Sequence, residues 1–311
     1  VKPEESFALG LDLGGTDLKS GCVREDGALE DFERRPSRAE RDAAAPLEAI
    51  VAAVNAQRER FGGAIVALGL GCPGVIDPVS GRLLDRTAHL PHWRDFALGE
   101  EVTARTGLRV AVDNDANLAA LAEHRLGAAR GARVSLTITL GTGIGCGIVI
   151  DGAVFRGAHG GAGELGHVPL GRLGRACGCG VPDCVEPEAS GSGLEIDARE
   201  LGLDPPDAPT VFAHAAEGDA RAVAVVERFA DRLGATIATA AALLDPEVVV
   251  IGGGVSRVGA ALLAPLRAAV TRYALPSHGQ RLRVTPAALG ERAGVIGAGL
   301  LAWDRLGSRA G

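Results

Sequence analysis

The stretch GELGHVPLGRLGRACGCGVPDCVE, from Gly163 to Glu186, gathers more reactive side chains than any other part of the chain. Cys177, Cys179 and Cys184 fall within eight residues, and His167 stands ten residues before the first of them. One imidazole and three thiolates are a donor set for tetrahedral zinc, and the intervening glycines let the backbone wrap an ion. The same cysteines would suit a disulfide in an oxidising compartment, but no feature of the sequence exports the chain. Cys22, Cys72 and Cys146 lie in apolar strands or beside glycine turns and are expected to pack. Glu164, His167 and Glu186 bracket the cysteines, so a loop folded around a metal brings three polar side chains together. Vicinal hydroxyls of a polyol need such fixed acceptors and donors. Solvated loop glutamates are the alternative.

A second polar group interrupts VAVDNDANLAALAE at Asp113, Asn114 and Asp115, where an apolar run stops and a helical pattern starts. Asn and Asp accept hydrogen bonds from free N–H groups at helix starts, and capping alone would account for them.

Glycines supply a third signal. DLGGTD (residues 12–17), LGTG (140–143) and IGGG (251–254) each end an apolar run. Gly14, Gly15, Gly141, Gly143, Gly252, Gly253 and Gly254 leave backbone N–H groups approachable by phosphate, and Thr16 and Thr142 add hydroxyls. A tight hairpin needs glycine too, so one copy alone is no evidence of a ligand. Neither Gly-Thr loop opens a helix and GxxxxGK[ST] is absent, which excludes a P-loop or a dinucleotide fingerprint. Two hairpin loops directed at one nucleotide remain, with Asp12 available for hydrated Mg²⁺.

The elements that must position these groups follow from hydrophobic periodicity. FALGLDL, DLKSGCV and ALEDFER read as three antiparallel strands joined by glycine turns. PLEAIVAAVNAQRERF follows as a helix, with Leu47, Ile50, Val51 and Val54 at helical spacing, and then the strand AIVALGLG. The layout restarts at VSLTITL, GTGIG, CGIVI, DG and AVFRG. RAVAVVERFADRLGATIATAAALLD predicts a long helix ending at Asp245, EVVVIGGGVS a buried strand, and ALGERAGVIGAGLLAWDRLG a final helix. Strands alternating with helices in two similar copies imply an α/β protein of two related domains.

The 311 residues suffice for two domains, and scarce aromatics (3%) leave Ala, Val, Leu and Ile to build the cores. A formal net charge of −7 argues against nucleic acid or anionic membrane as a partner. VSLTITLGTGIGCGIVI is too short and glycine-rich to span a membrane, and VKPEESFALG lacks a leader's apolar centre. A cytoplasmic protein is expected.

In order, GLDLGGTDLKSG, GLGCPGVID, LPHWRDFAL, VAVDNDANLAALAE, TLGTGIGCGI, GELGH, CGCGVPDCVE and DPEVVVIGGGVS resemble the ROK family of bacterial sugar kinases and repressors, nearly end to end. The ExGH element followed by CxCGxxxCxE is its most specific part. The resemblance implies an α/β fold of duplicated actin-like ATPase (ribonuclease H-like) domains flanking an interdomain cleft. It implies a small domain of residues 1–117 with a returning helix over 298–311, and a larger domain over 118–297 carrying a zinc loop. It further implies an ATP-dependent kinase of carbohydrate metabolism that phosphorylates the C6 hydroxyl of glucose. N-acetylmannosamine, N-acetylglucosamine and fructose are alternative substrates.

Carried over residue by residue, Asp115 is the general base and Asn114 a sugar contact. Glu164 and His167 are the sugar-binding pair, His167 is also the zinc histidine, and Glu186 lies near the anomeric end. ATP, Mg²⁺, a structural Zn²⁺ held by His167, Cys177, Cys179 and Cys184, and a homodimer or higher homo-oligomer belong to the same expectation. Asp17, His89 and Pro182 depart from the usual pattern, His89 standing where family members carry Asn. A sugar-responsive transcriptional regulator is the remote alternative, but DLGGT at residue 12 leaves no room for an N-terminal helix-turn-helix.

Overall fold

The computed structural model describes residues 6–85 and 87–307. The leader-free reading of residues 1–5 and the chain end at 308–311 lie outside the described residues. Two compact units emerge. The first runs to Ala122, takes in Val154–Ala162 and resumes at Glu291; the second holds Glu123–Ala153 and Gly163–Gly290. The breaks expected after residues 117 and 297 fall inside continuous helices, and the units separate at 122/123 and 290/291 instead, with a third excursion over 154–162.

In the first unit β1 (Phe7–Leu13), β2 (Asp17–Val23), β3 (Leu29–Pro36), β4 (Ile65–Cys72) and β5 (Val110–Asn114) form one sheet in the order β3-β2-β1-β4-β5. The hairpin β1–β2 is antiparallel, whereas β1, β4 and β5 run parallel. Parallel strands covered on both faces read as unbroken apolar runs, which is why FALGLDL and IVALGLGC lack polar alternation. One face packs on α1 (Ala45–Phe61), whose Leu47, Ile50 and Val54 join Leu9, Leu11, Leu68 and Leu70 in the core.

The other face carries α10 (Ala293–Gly307), which lies against β1 and β4 at backbone distance. A Cβ on Gly69 would overlap the carbonyl oxygen of Ala298, and one on Gly10 that of Val295. No side chain can yield there, because both obstacles are main chain. Gly69→Ala is therefore expected to cost about 3 kcal/mol through overpacking, read as a lower urea midpoint with unchanged slope. An unchanged midpoint would show that the helix can lift off the sheet. α10 starts later than periodicity suggested: Gly290–Arg292 form a 3₁₀ turn and the α-helix begins at Ala293.

The second unit repeats the plan with β6 (Val134–Leu140), β7 (Ile144–Ile150), β8 (Ala153–Val154), β9 (Val248–Gly252) and β10 (Arg283–Pro286), ordered β10-β9-β6-β7-β8. Reversed, that is the order of the first sheet. The strand expected over AVFRG stops at Val154, because two residues later Arg156 turns to ion-pair with Asp113 of its own unit. The long helix α7 (Ala220–Leu244) ends as expected, with Asp245 left-handed at φ 44°. Its Phe229, Leu233 and Ile237 pack on Leu136, Ile138, Val249 and Ile251. Among the described residues no helix is long and apolar enough to cross a membrane.

Candidate functional site

Strand register sets up the first unit's group. Asp12 near the end of β1 pairs with Lys19 on one side and Gly71 on the other, and Cys72 pairs with Asn114. The ends of three parallel strands thus bring Asp12 and Asp115 to the same edge. A Cβ on Gly71 would meet Leu118 Cδ1 at 3.1 Å and lie 3.6 Å from both the Asp115 Cα and Asp12 Oδ1, so this strand position adjoins both aspartates. Burial pushes the Cys72 thiol well up, and the charges of Asp115 and Asp12 add to it. Cys72 is a packing thiol, as expected.

The three polar residues after β5 divide their labour. Asp113 is buried, receives Arg156 through Nε (2.8 Å) and an Nη (2.5 Å), and accepts from Asn117 Nδ2 at 3.0 Å. Asn114 takes the capping role, accepting from the N–H groups of Ala116 (2.9 Å) and Asn117 (3.2 Å) while donating to Gly74 O. Asp115, half-buried, opens α3 (Asp115–Leu126) and accepts from Ala116 N–H at 2.8 Å. Capping therefore explains Asn114, while Asp115 stands half-buried as the first residue of α3.

The Gly14–Gly15–Thr16 loop is closed by Gly14 N–H donating to Asp17 O and is tied to Ser37 through Gly15 O and Thr16 O. His89 sits on this loop, its Nδ1 3.2 Å from where a Gly15 Cβ would be. Asp17 pairs with Arg34 at 3.7 Å, and so the departure from the usual loop sequence is absorbed within the sheet. Asp12 Oδ2 is held by Lys19 Nζ at 2.9 Å. Neither Lys19 nor Arg156 was singled out from sequence; each is revealed only by strand register or a distant contact.

In the second unit, Gly141–Gly143 and Gly252–Gly254 leave the ends of the adjacent parallel strands β6 and β9, where Thr139 pairs with Gly252. Gly253, at φ 84°, lies so close to Leu140 that a Cβ would overlap its backbone. Both glycine loops thus share one edge of the sheet.

His167, Cys177, Cys179 and Cys184 have their donor atoms within 4.8 Å of one another. His167 Nδ1 is 3.5 Å from Cys177 Sγ, and the sulfurs follow at 3.3 and 3.5 Å. This spacing suits a tetrahedral ion with Zn–S bonds of about 2.3 Å. Burial and the neighbouring thiols push the Cys184 thiol up to about 12, and a bound cation would favour the thiolates. His167 Nε2 faces the other way, 3.7 Å from Glu164 Oε2, which lets one imidazole serve both sides. The 3₁₀ turn Leu165–His167 produces this pairing at spacing i, i+3.

Glu186, the first residue of α4 (Glu186–Ala189), accepts from Ile144 N–H at 2.9 Å. Two residues on, the buried Glu188 accepts from the N–H groups of Arg172 and Leu173 and pairs with Arg232 at 3.2 Å. Arg175 and Arg232 both reach buried Asp197 on α5 (Gly191–Glu200). The cysteine loop is therefore fastened by ion pairs at its start and by the donor cluster at its end.

The ROK family profile matches residues 8–305, nearly the whole chain. The chain belongs to the ROK family. A glucokinase from Halalkalibacterium halodurans is 38% identical over 318 residues, covering 96% of this chain and 95% of that protein. An N-acetyl-D-glucosamine kinase from Aliivibrio fischeri is 34% identical, covering 94% and 98%. The crystal structure of a ROK family glucokinase from Streptomyces griseus, in complex with glucose and AMPPNP, matches with a TM-score of 0.84 at 34% identity, covering 96% of this chain and 100% of that one. The two mixed sheets are accordingly those of the α/β, duplicated actin-like ATPase fold that ROK glucokinases share.

Proposed function

We propose that this ROK protein is an ATP-dependent hexose kinase that transfers the γ-phosphoryl group of ATP to the C6 hydroxyl of glucose. The observation that carries it is full-length similarity to glucokinases, including one whose structure holds glucose and an ATP analogue. An N-acetylglucosamine kinase at similar coverage keeps that amino sugar as the second reading.

In this reading Asp115 accepts the C6 hydroxyl proton as that oxygen bonds to phosphorus and ADP departs. Asn114, Asp115, Glu164, His167 and Glu186 contact the sugar, roles that rest on the family resemblance. Gly14, Gly15 and Thr16, with Gly141, Thr142 and Gly143, receive phosphates, while Gly252–Gly254 lie beside the adenosine. Phosphoryl transfer asks the protein for alignment and charge neutralisation more than for covalent chemistry, which suits loops of backbone donors. Asp12 would hold hydrated Mg²⁺ through Oδ1, since Lys19 occupies Oδ2. Zinc at His167, Cys177, Cys179 and Cys184 would be structural, since four protein donors leave no open position. A cytoplasmic homodimer or higher homo-oligomer completes the reading on family resemblance alone.

Glu164→Ala tests the sugar contacts. It is expected to raise the glucose KM about tenfold or more, the worth of a hydrogen bond to a charged group, with the ATP KM nearly unchanged. Equal rises in both would remove Glu164 from the sugar. Phosphorus NMR of the product checks the position of transfer, which is expected at C6.

A further inference from the structure

Glu186 touches two parts of the second unit that serve different ligands in the proposed reaction. Its Oε2 accepts from Ile144 N–H at 2.9 Å, at the exit of the Gly141–Gly143 loop, while its Oε1 lies 4.0 Å from Cys177 Sγ. The fit to the loop is tight. A Cβ on Gly143 would overlap Oε2 and stand 3.1 Å from the carboxyl carbon, and one on Gly166 would be 2.7 Å from Ile144 O and 3.4 Å from Glu186 Cβ. Gly141, at the other end of the same loop, faces open space, and its carbonyl accepts from Gly191 N–H at 2.8 Å.

We propose that Glu186 is a positioning residue that couples sugar binding to nucleotide binding: the carboxylate that meets the sugar also sets the place of the Gly141–Gly143 phosphate loop. This deepens the kinase reading and rests on it. An ionised carboxylate accepts at both oxygens, so one can hold Ile144 N–H while the other takes a sugar hydroxyl. With the sugar bound the side chain is fixed from both ends, and the loop is ordered before phosphate arrives. Without it, the nucleotide must meet that ordering cost itself, which is positive coupling without a new contact between the ligands. Coupling of this kind is reciprocal. The close approach also explains why this loop position is glycine: a methyl group there would push the carboxylate off its sugar-facing position from the nucleotide side.

Calorimetric titration of the zinc-loaded full chain with AMPPNP, with and without saturating glucose, tests the proposal. For the unaltered protein glucose is expected to tighten AMPPNP about fivefold or more. Gly143→Ala should bring that ratio close to one and raise the glucose Kd, although it lies in the nucleotide loop. Gly141→Ala should weaken AMPPNP while keeping the ratio. Should Gly143→Ala fail to fold, Glu186→Gln carries the same comparison, because a neutral amide is a weaker acceptor for Ile144 N–H; its ratio is expected to fall. A ratio of one in the unaltered protein, or an unchanged ratio in Gly143→Ala or Glu186→Gln, overturns the coupling. Glucose that does not bind the unaltered protein overturns the kinase reading instead.

Discussion

Asp115→Asn is expected to lower kcat for glucose phosphorylation about a thousandfold, within the range of general-base contributions, while the glucose Kd stays within about a factor of three. The asymmetry follows from what the residue touches. Asn keeps an oxygen where Asp115 accepts from Ala116 N–H, so the start of α3 survives. It also keeps a polar group for the sugar, but an amide cannot take the C6 proton. Fold, zinc content and ligand binding should therefore match the unaltered protein, and the loss should lie in the chemical step. A comparison with Asn114→Ala separates the roles, since that change removes the helix cap and the bond to Gly74 O. It should lower stability by about 1 kcal/mol. Turnover of Asp115→Asn within tenfold of normal would assign the base to another group.

Removal of the metal site has the other large effect. The purified protein is expected to hold about one zinc per chain, the stoichiometry of one four-donor site. Cys184→Ala should abolish it and lower the melting temperature by roughly 10 °C, taking about 3 kcal/mol for the lost site in a unit of this size. Cys184 is the informative choice because it is buried and its Sγ lies 3.5 Å from Cys179 Sγ. Sugar KM should rise as well, since the loop that ends in Glu186 is held by this cluster on one side and by Glu188 and Arg232 on the other. Cys146→Ala is the control. Its thiol is buried and pushed up to about 12 by that burial, apart from the donor set, so zinc content should stay normal. Zinc-free protein with full activity and an unchanged melting temperature would contradict the assignment.

Sequence displayed the parts of the site that are local. The two Gly-Thr hairpins, the Glu164–His167 pair at i, i+3 and the cysteine loop each close over a few residues, and short-range chemistry leaves its mark in spacing. The repeat of the sheet was legible for the same reason, as strand and turn patterns are local. Contacts at long separation were not. Asp113 and Arg156 are 43 residues apart, and nothing in the periodicity near Asp113 marks it as the buried partner of an arginine. Arg232 on α7 reads as an ordinary helix charge until Glu188 and Asp197 are seen beneath it. The division between the units is hard to read because α3 crosses it at 122/123 without a break in pattern, and a continuous helix offers no local signal of which core its side chains join. The early end of β8 has the same origin, since an ion pair drew Arg156 away from strand geometry.

The most direct test of the central claim is the initial rate of ADP release with Mg-ATP and each of glucose, N-acetylmannosamine, N-acetylglucosamine, mannose, fructose and allose, with Asp115→Asn run alongside. The account predicts that glucose stimulates release most strongly and that the substitution abolishes the stimulation. Release unaffected by every sugar, from protein that still binds ATP, would contradict it.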